Sequence, residues 1–351
     1  MKIVSVVGAR PQFIKVAPVD WAFRNSHEHL ILHTGQHYDH GMSQAFFDEF
    51  NLSQPDANLA AGSGSHAKQT ALIMTGVEEY LEATRPDWLF VYGDTNSTFA
   101  SAIAAAKIGV PVVHIEAGLR SGNRGMPEEV NRILTDHSSD FCLAPTDTAM
   151  SFLRAEGLGA RSVLVGDVTV EVLRKIQGEV ADNPPNLPWD ISERYILATL
   201  HRQALLANHE KLREVLIALG NSQVRVYLAA HPRLKKAIYD YGLEKSLPRS
   251  ISTIQPLGYR EAIWAVMNAD GVVTDSGGLQ KETYLLRKPC LTIRSETEWP
   301  ETLAGGGNRL VWEDLTPLVN AEWVANSREF KADIFGDGAT AHRIINLIEN
   351  A

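Results

Sequence analysis

Twelve short apolar runs recur along the chain, and segments with helical spacing separate them. The first half holds KIVSVVG (2–8), HLILHT (29–34), WLFVYG (88–93), VPVVHIE (110–116), FCLAP (141–145) and SVLVG (162–166). The second half holds YILATL (195–200), VRVYLAA (224–230), ISTI (251–254), GVVT (271–274), PCLTI (289–293) and NRLVW (308–312). Runs that are apolar on both faces suit parallel strands covered by helices on each side. Their alternation with helices makes βαβ units. The expected fold is α/β, with two doubly wound Rossmann-like domains facing a central cleft. The proline-rich stretch ADNPPNLPWDIS (181–192) is the best linker candidate. Domain limits of 1–168 and 169–338 follow from the two sets of six runs. Ligands of such folds gather at the carboxyl ends of strands, so the loops that leave the strands carry the functional information.

Composition narrows the ligand class. The net charge is −9 and no basic stripe is present, which speaks against a nucleic-acid partner. An anionic ligand must then be met by local cations. Cys142 and Cys290 sit in apolar runs and lack metal-like spacing, so they read as buried reduced thiols. The first residues, MKIVSVVGARPQF, lack a leader's cleavage pattern, and no apolar run is long enough to span a membrane. A cytoplasmic location is expected.

The strand-end loops repeat one theme. GARPQFIK (8–15) offers a tight turn at Gly8, Pro11 at a helix start, and Arg10 and Lys15 beside that helix N-terminus. Pro18 is expected to end or kink this helix. GDTNST (93–98) places Asp94 as a helix cap or as a reactive carboxylate. HIEAGLRSGNRGMPEEVNR (114–132) follows a buried strand with mixed charge. Glu116 lies at the strand end, Arg120 and Arg124 on a glycine-permitted loop, and Pro127 at a helix start with Glu128 and Arg132 behind it. Adjacent parallel strands would bring Asp94 and Glu116 to one sheet edge.

In the second half, His201 and Arg202 follow one strand and His231 another. TDSGGLQKE (274–282) follows a third. Ser276, Gly277 and Gly278 would open a helix without side-chain bulk, so its amides could approach a diphosphate. Glu282 could accept both hydroxyls of a ribose, and Asp275 is the alternative cap. Cations and a bare helix start for a diphosphate, one carboxylate for a ribose, and several carboxylates with a histidine for chemistry together suggest a nucleotide sugar.

These motifs, with TGQHYDHGMS, TLHR, HPR, PLGY and ETEWPE, resemble the non-hydrolysing UDP-N-acetylglucosamine 2-epimerase family from residue 2 to about 310. The resemblance implies a GT-B fold whose last helix, 339–351 here, packs back on the first domain. It implies elimination of UDP to a 2-acetamidoglucal and its re-addition, with neither a cofactor nor a metal. By motif, Asp94, Glu116 and Glu128 resemble the catalytic carboxylates, and His201 the histidine near the leaving diphosphate. Arg10, Lys15, Ser276, Gly277 and Gly278 resemble the UDP contacts and Glu282 the ribose ligand; Arg132 and Arg202 join the substrate-binding set. Gln36, His37, Gln69 and His231 match a second, activating site in the family. Ala204 and Leu205 stand where many members carry Glu-Asn, which puts that activation in doubt, and Gln12 replaces a common Glu. Trp299 replaces the Arg of Thr-Glu-Arg-Pro-Glu, so a modified sugar such as UDP-2,3-diacetamido-2,3-dideoxyglucuronate is the alternative substrate. The family further implies a homodimer with a UDP-sugar as its only other partner, and no membrane association.

Overall fold

The computed structural model describes residues 1–36, 47, 49–319, 322–325 and 328–351; His37 and the side chains of Arg10 and Glu322 lie outside the described residues. All twelve apolar runs form strands. β1 (Lys2–Val7), β2 (Glu28–His33), β4 (Trp88–Tyr92), β5 (Val112–Ile115), β6 (Phe141–Ala144) and β7 (Ser162–Leu164) build a parallel sheet ordered β3-β2-β1-β4-β5-β6-β7. The added edge strand, β3 (Ala57–Asn58), has two residues and no apolar run to announce it. A second parallel sheet, ordered β10-β9-β8-β11-β12-β13, uses β8 (Tyr195–Thr199), β9 (Arg225–Ala229), β10 (Ile251–Ile254), β11 (Gly271–Thr274), β12 (Cys290–Thr292) and β13 (Asn308–Leu310). Chain order reverses at β1/β4 in the first sheet and at β8/β11 in the second. In open α/β sheets such switch points are where ligands bind.

Two compact units result, Met1–Val172 with Asp333–Ala351, and Leu173–Ala332. The break falls inside helix Thr169–Asp182 rather than in the proline-rich stretch. Residues 181–192 instead belong to the second unit, where Trp189 stacks on Tyr227 at 4.4 Å between ring centroids. Helix Thr340–Glu349 belongs to the first unit; its Ala341 N–H donates to Glu171 at 2.8 Å, and His27 meets Glu349 at 3.1 Å. Cys142 and Cys290 are free buried thiols, and burial pushes each up to about 12. No described helix is long and apolar enough to cross a membrane, and no described cluster of three or more His, Cys, Asp or Glu is placed to hold a metal.

Pro18 does not end its helix, which runs from Arg10 to Phe23. An interior proline costs about 3 kcal/mol. Here Val16, Ala17, Val19 and Phe23 are wholly buried. Full burial of one such side chain contributes about 1.5–3 kcal/mol, so together they outweigh the break.

The same helix anchors a polar chain through the core. Asp20 Oδ1 lies 3.0 Å from His29 Nδ1, His29 Nε2 lies 2.8 Å from Ser5 Oγ, and Ser5 Oγ lies 2.7 Å from the Tyr92 hydroxyl. Ser5 has no exposed surface, so this Asp-His-Ser row is a satisfied core network and no nucleophile. Burial alone would raise the Asp20 pKa, but the bonds from His29 and Ser53 outweigh it and hold the carboxyl below its ordinary value. A lowered carboxylate contributes stability that is complete above its unfolded pKa, about 3.9, and is lost as pH falls through the folded value. Asp20→Asn should therefore show a smaller drop in melting temperature between pH 6 and pH 3 than the parent chain. Equal slopes in a melting series would remove Asp20 from the acid-sensitive set.

Candidate active site

In the first unit the site grows from the ends of β1, β4 and β5. The turn after β1 is fixed by Gln12, whose Oε1 accepts from the amides of Gly8 and Ala9 at 2.8 and 3.0 Å. Its Nε2 donates to the Tyr92 carbonyl and the Thr98 hydroxyl, both at 3.0 Å. One amide thus latches the end of β1 to the end of β4, and a carboxylate could not donate the second pair. Gly8 is obligatory in this packing, because a Cβ there would fall on the Thr34 and Ser97 hydroxyls.

One turn further, Lys15 reaches back over the β4 end. Its Nζ lies 2.5 Å from Glu116 Oε1, with both side chains largely buried. Gly93 makes the space, since a Cβ on it would meet Lys15 Nζ at 2.7 Å. Burial would lower the Lys15 pKa, but the Glu116 carboxylate, with Asp94 behind it, outweighs burial and raises it. Lys15 therefore stays charged beside two carboxylates. Glu116 holds a left-handed backbone, φ +72°. That conformation is uncommon for a residue with a side chain, and such residues cluster at functional sites.

Asp94 does not cap the following helix. Thr95 does, accepting from Thr98 N at 3.2 Å, and the helix is Asn96–Ile108. Asp94 is released to meet Arg132 Nη2 at 2.6 Å, and Arg132 Nη1 donates to Glu129 at 3.0 Å. Arg132 is 3% exposed and committed to these carboxylates, so it orients Asp94 instead of offering an open cation. Glu129 accepts from Ser121 N, Ser121 Oγ and Gly122 N at 2.9, 3.0 and 2.9 Å, which ties down the glycine-rich loop. Burial would raise its pKa; those bonds and Arg132 lower it. Glu128, its neighbour in helix Pro127–Ser138, is half-buried and forms no ion pair among the described residues. Arg120 is taken up by carboxylates. It is buried against Asp136 and Glu156, at 2.7 Å from each, and only the exposed Arg124 remains on the loop surface.

Gln36 and Gln69 come together beside this edge. Gln36 Oε1 accepts from Ser97 N and Oγ, at 3.0 and 2.6 Å. Gln69 Nε2 donates to the Gln36 carbonyl at 3.3 Å and its Oε1 accepts from Asn96 at 2.8 Å.

In the second unit the site is built on the ends of β8 and β11. Asp275 is wholly buried, and it is not the helix cap either. Ser276 caps helix Gly277–Leu285, its Oγ accepting from Leu279 N at 3.3 Å. Asp275 accepts instead from the backbone N–H of His201, at 2.8 Å, and of Arg202, also at 2.8 Å. The His201 ring lies 3.4 Å from the same carboxylate. One aspartate thus shapes the loop that presents both side chains. His231 caps its own helix, Nδ1 accepting from Arg233 N at 3.2 Å, with its ring 6.5 Å from that of His201. A Cβ on Gly277 would fall on the Glu298 carboxylate, which pairs with Arg294 at 2.7 Å and Arg202 at 3.6 Å. Gly278 is exposed with no atom crowding a Cβ within 4.0 Å except Ser276 Oγ at that limit, so the helix start is open on that side. Glu282 is half-buried in the same helix. Lys281 stacks on Trp299, 4.1 Å from the ring centroid.

Sequence reasoning gave no role to Asp136 or His114, and none of its own to Glu129. Their signal was weak: each is a polar residue inside a helix or strand, where it also reads as surface or as a satisfied core group.

In the first unit a charged lysine stands beside the Glu116 carboxylate, and in the second a helix start is open on one side. Comparison with known proteins places the chain in a family. The profile of the UDP-N-acetylglucosamine 2-epimerase family matches residues 22–349. A Methanococcus maripaludis protein named UDP-N-acetylglucosamine 2-epimerase homolog is 41% identical over 361 residues, covering 100% of both chains. The UDP-2,3-diacetamido-2,3-dideoxy-D-glucuronate 2-epimerase of Pseudomonas aeruginosa is 39% identical over 358 residues, covering 99% of each chain. The crystal structure of Methanocaldococcus jannaschii UDP-GlcNAc 2-epimerase in complex with UDP-GlcNAc and UDP matches with a TM-score of 0.92 at 36% identity, covering 100% of both chains. With two doubly wound units and this spread of matches over its length, the chain belongs to the UDP-N-acetylglucosamine 2-epimerase family.

Proposed function

We propose that the protein interconverts UDP-N-acetylglucosamine and UDP-N-acetylmannosamine without net hydrolysis. The observation that carries this reading is the Asp94 and Glu116 pair on adjacent strand ends, with Lys15 charged beside them. The C2 proton of an N-acetylhexosamine is not next to a carbonyl and resists direct removal. If UDP leaves first, positive charge develops at C1 and the ring oxygen, and the C2 proton becomes acidic. Carboxylates stabilise that charge and move the proton. For the nucleotide, the reading rests on the second unit by itself: the amides of Gly277 and Gly278, with Arg202 and His201, hold the diphosphate, and Glu282 holds the ribose. The neutral intermediate is a 2-acetamidoglucal. Return of UDP, with the proton delivered to the opposite face, completes the inversion.

Incubation with UDP-N-acetylglucosamine in heavy water tests the route. Product and recovered substrate should carry one solvent deuterium at C2, and free UDP should stay minor. Epimerisation without deuterium at C2 would sink the mechanism, and accumulation of free N-acetylmannosamine would replace it with a hydrolysing one. A second reading rests on the 39% identity to the Pseudomonas aeruginosa enzyme, whose named sugar is a diacetamido-glucuronate. A product assay across both UDP-sugars separates the two by their kcat/KM ratio.

A further inference from the structure

One buried ion pair behind the carboxylates has no place in this chemistry. His114 lies in β5, two residues before Glu116, and Asp136 lies on helix Pro127–Ser138; neither has exposed surface. His114 Nδ1 is 2.6 Å from Asp136 Oδ1, and Nε2 is 2.8 Å from the Gly93 carbonyl oxygen. A carbonyl only accepts, and so does an ionised carboxylate. The other Asp136 oxygen accepts from Gly118 N at 3.1 Å and faces the Arg120 guanidinium at 2.7 Å; burial would raise the Asp136 pKa, but its charged partners outweigh burial and keep the acid ionised. Both ring nitrogens must then donate, and a neutral imidazole has only one N–H.

The atoms held by this pair flank the two candidate carboxylates. Gly93, at φ +67°, immediately precedes Asp94. Gly118, at φ +81°, follows Glu116 by two residues, and Glu116 itself is at φ +72°. A left-handed residue with a side chain is strained and persists only where its surroundings over-determine it. The ring fixes one turn and its carboxylate partner fixes the other.

We infer that His114 is a positioning residue held as an imidazolium, which joins the Gly93 carbonyl to Asp136 and so keeps the Asp94 and Glu116 turns in fixed relation. The inference rests on the proposed catalytic roles of those two carboxylates for its functional half only. Other titratable or charged groups around the pair are Arg120 on the loop, Cys142 on β6, whose thiol meets the Asp136 carbonyl, Arg161, which donates to that same carbonyl, and Glu156 behind Arg120. At the Gly93 end they are Lys15 and Glu116.

Two measurements test it. In the full chain with ¹⁵N-labelled histidine, the His114 ring, assigned by its loss in His114→Gln, should show two protonated nitrogens at the pH of the assay. A single protonated nitrogen there overturns the imidazolium. In steady-state kinetics, His114→Gln should lower kcat by about 10²-fold, the usual cost of a misplaced reacting group, and shift KM for the UDP-sugar by less than about three-fold. The double variant with Asp136→Asn should lose little more than either single change, since the two act as one unit. Retained kcat, a KM that rises in step with the lost rate, or additive losses overturn the positioning role. If the variants do not fold, the His114 ring is assigned in the ¹³C,¹⁵N-labelled parent chain by through-bond correlation to its backbone, and the spectrum still decides the protonation state. If Glu116→Gln keeps full turnover, the catalytic reading fails while the nitrogen spectrum stands by itself.

Discussion

Glu116→Gln should lower kcat by about 10²–10⁴-fold, the range for loss of a general acid or base, with UDP binding still measurable by titration calorimetry. The amide has the shape of the acid, so the left-handed turn at 116 and its neighbours can stay in place. What disappears is the charge. Glu116 is the first of the carboxylates that keep Lys15 charged against a burial that pulls the other way. Without it the lysine pKa must fall, so the variant loses both a proton acceptor and part of a cation. UDP affinity should weaken less than turnover, because the helix start at Gly277 and the Arg202 side chain are untouched. Turnover within ten-fold of the parent would show that another group handles the C2 proton.

Asp275→Ala should produce the second large effect, in the other unit. The change removes the acceptor shared by the His201 and Arg202 amides. Each buried amide left without a partner costs about 1–3 kcal/mol. A loss of about 10²-fold in kcat/KM, or roughly 2.8 kcal/mol at about 1.4 kcal/mol per ten-fold, is expected. Asp275→Asn keeps one acceptor oxygen and should fall between alanine and the parent. If both variants stay within three-fold of the parent by kinetics and UDP titration, the loop does not depend on this carboxylate.

Asp275 obeys a structural rule that the sequence half showed. Asp94-Thr95 and Asp275-Ser276 both sit between a strand and a helix, and either residue of each pair is a good cap. In both places the hydroxyl caps and the preceding aspartate turns away to other work, Asp94 to Arg132 and Asp275 to the His201 loop. Propensity places a helix start to within a residue or two but does not choose between neighbouring caps, because the choice depends on what lies across the sheet edge. The strands were legible for the opposite reason. A parallel strand buried on both faces must be apolar throughout, so FCLA or GVVT announces itself without its partners. Ala57–Asn58 could not, since a two-residue edge strand buries almost nothing. For Arg120 the sequence left open whether a loop arginine among glycines meets a ligand or a carboxylate, and only the fold brings Asp136 and Glu156 around it. Gln12 looked like a simple departure from a common Glu. In three dimensions its amide donates where an acid would not, which explains how the change is absorbed.

The placement of helix Thr340–Glu349 bears on the order in which the chain can be assembled. That helix completes the first unit through Glu171 and His27, yet it is translated only after Leu173–Ala332, the whole of the second unit, has been made. At about 5–20 residues per second, the nascent first unit waits at least several seconds with the seat of its final helix uncovered. The second unit, whose sequence is uninterrupted, has all its residues available before the first does. In this chain the unit whose residues come first is also the unit whose residues are complete last.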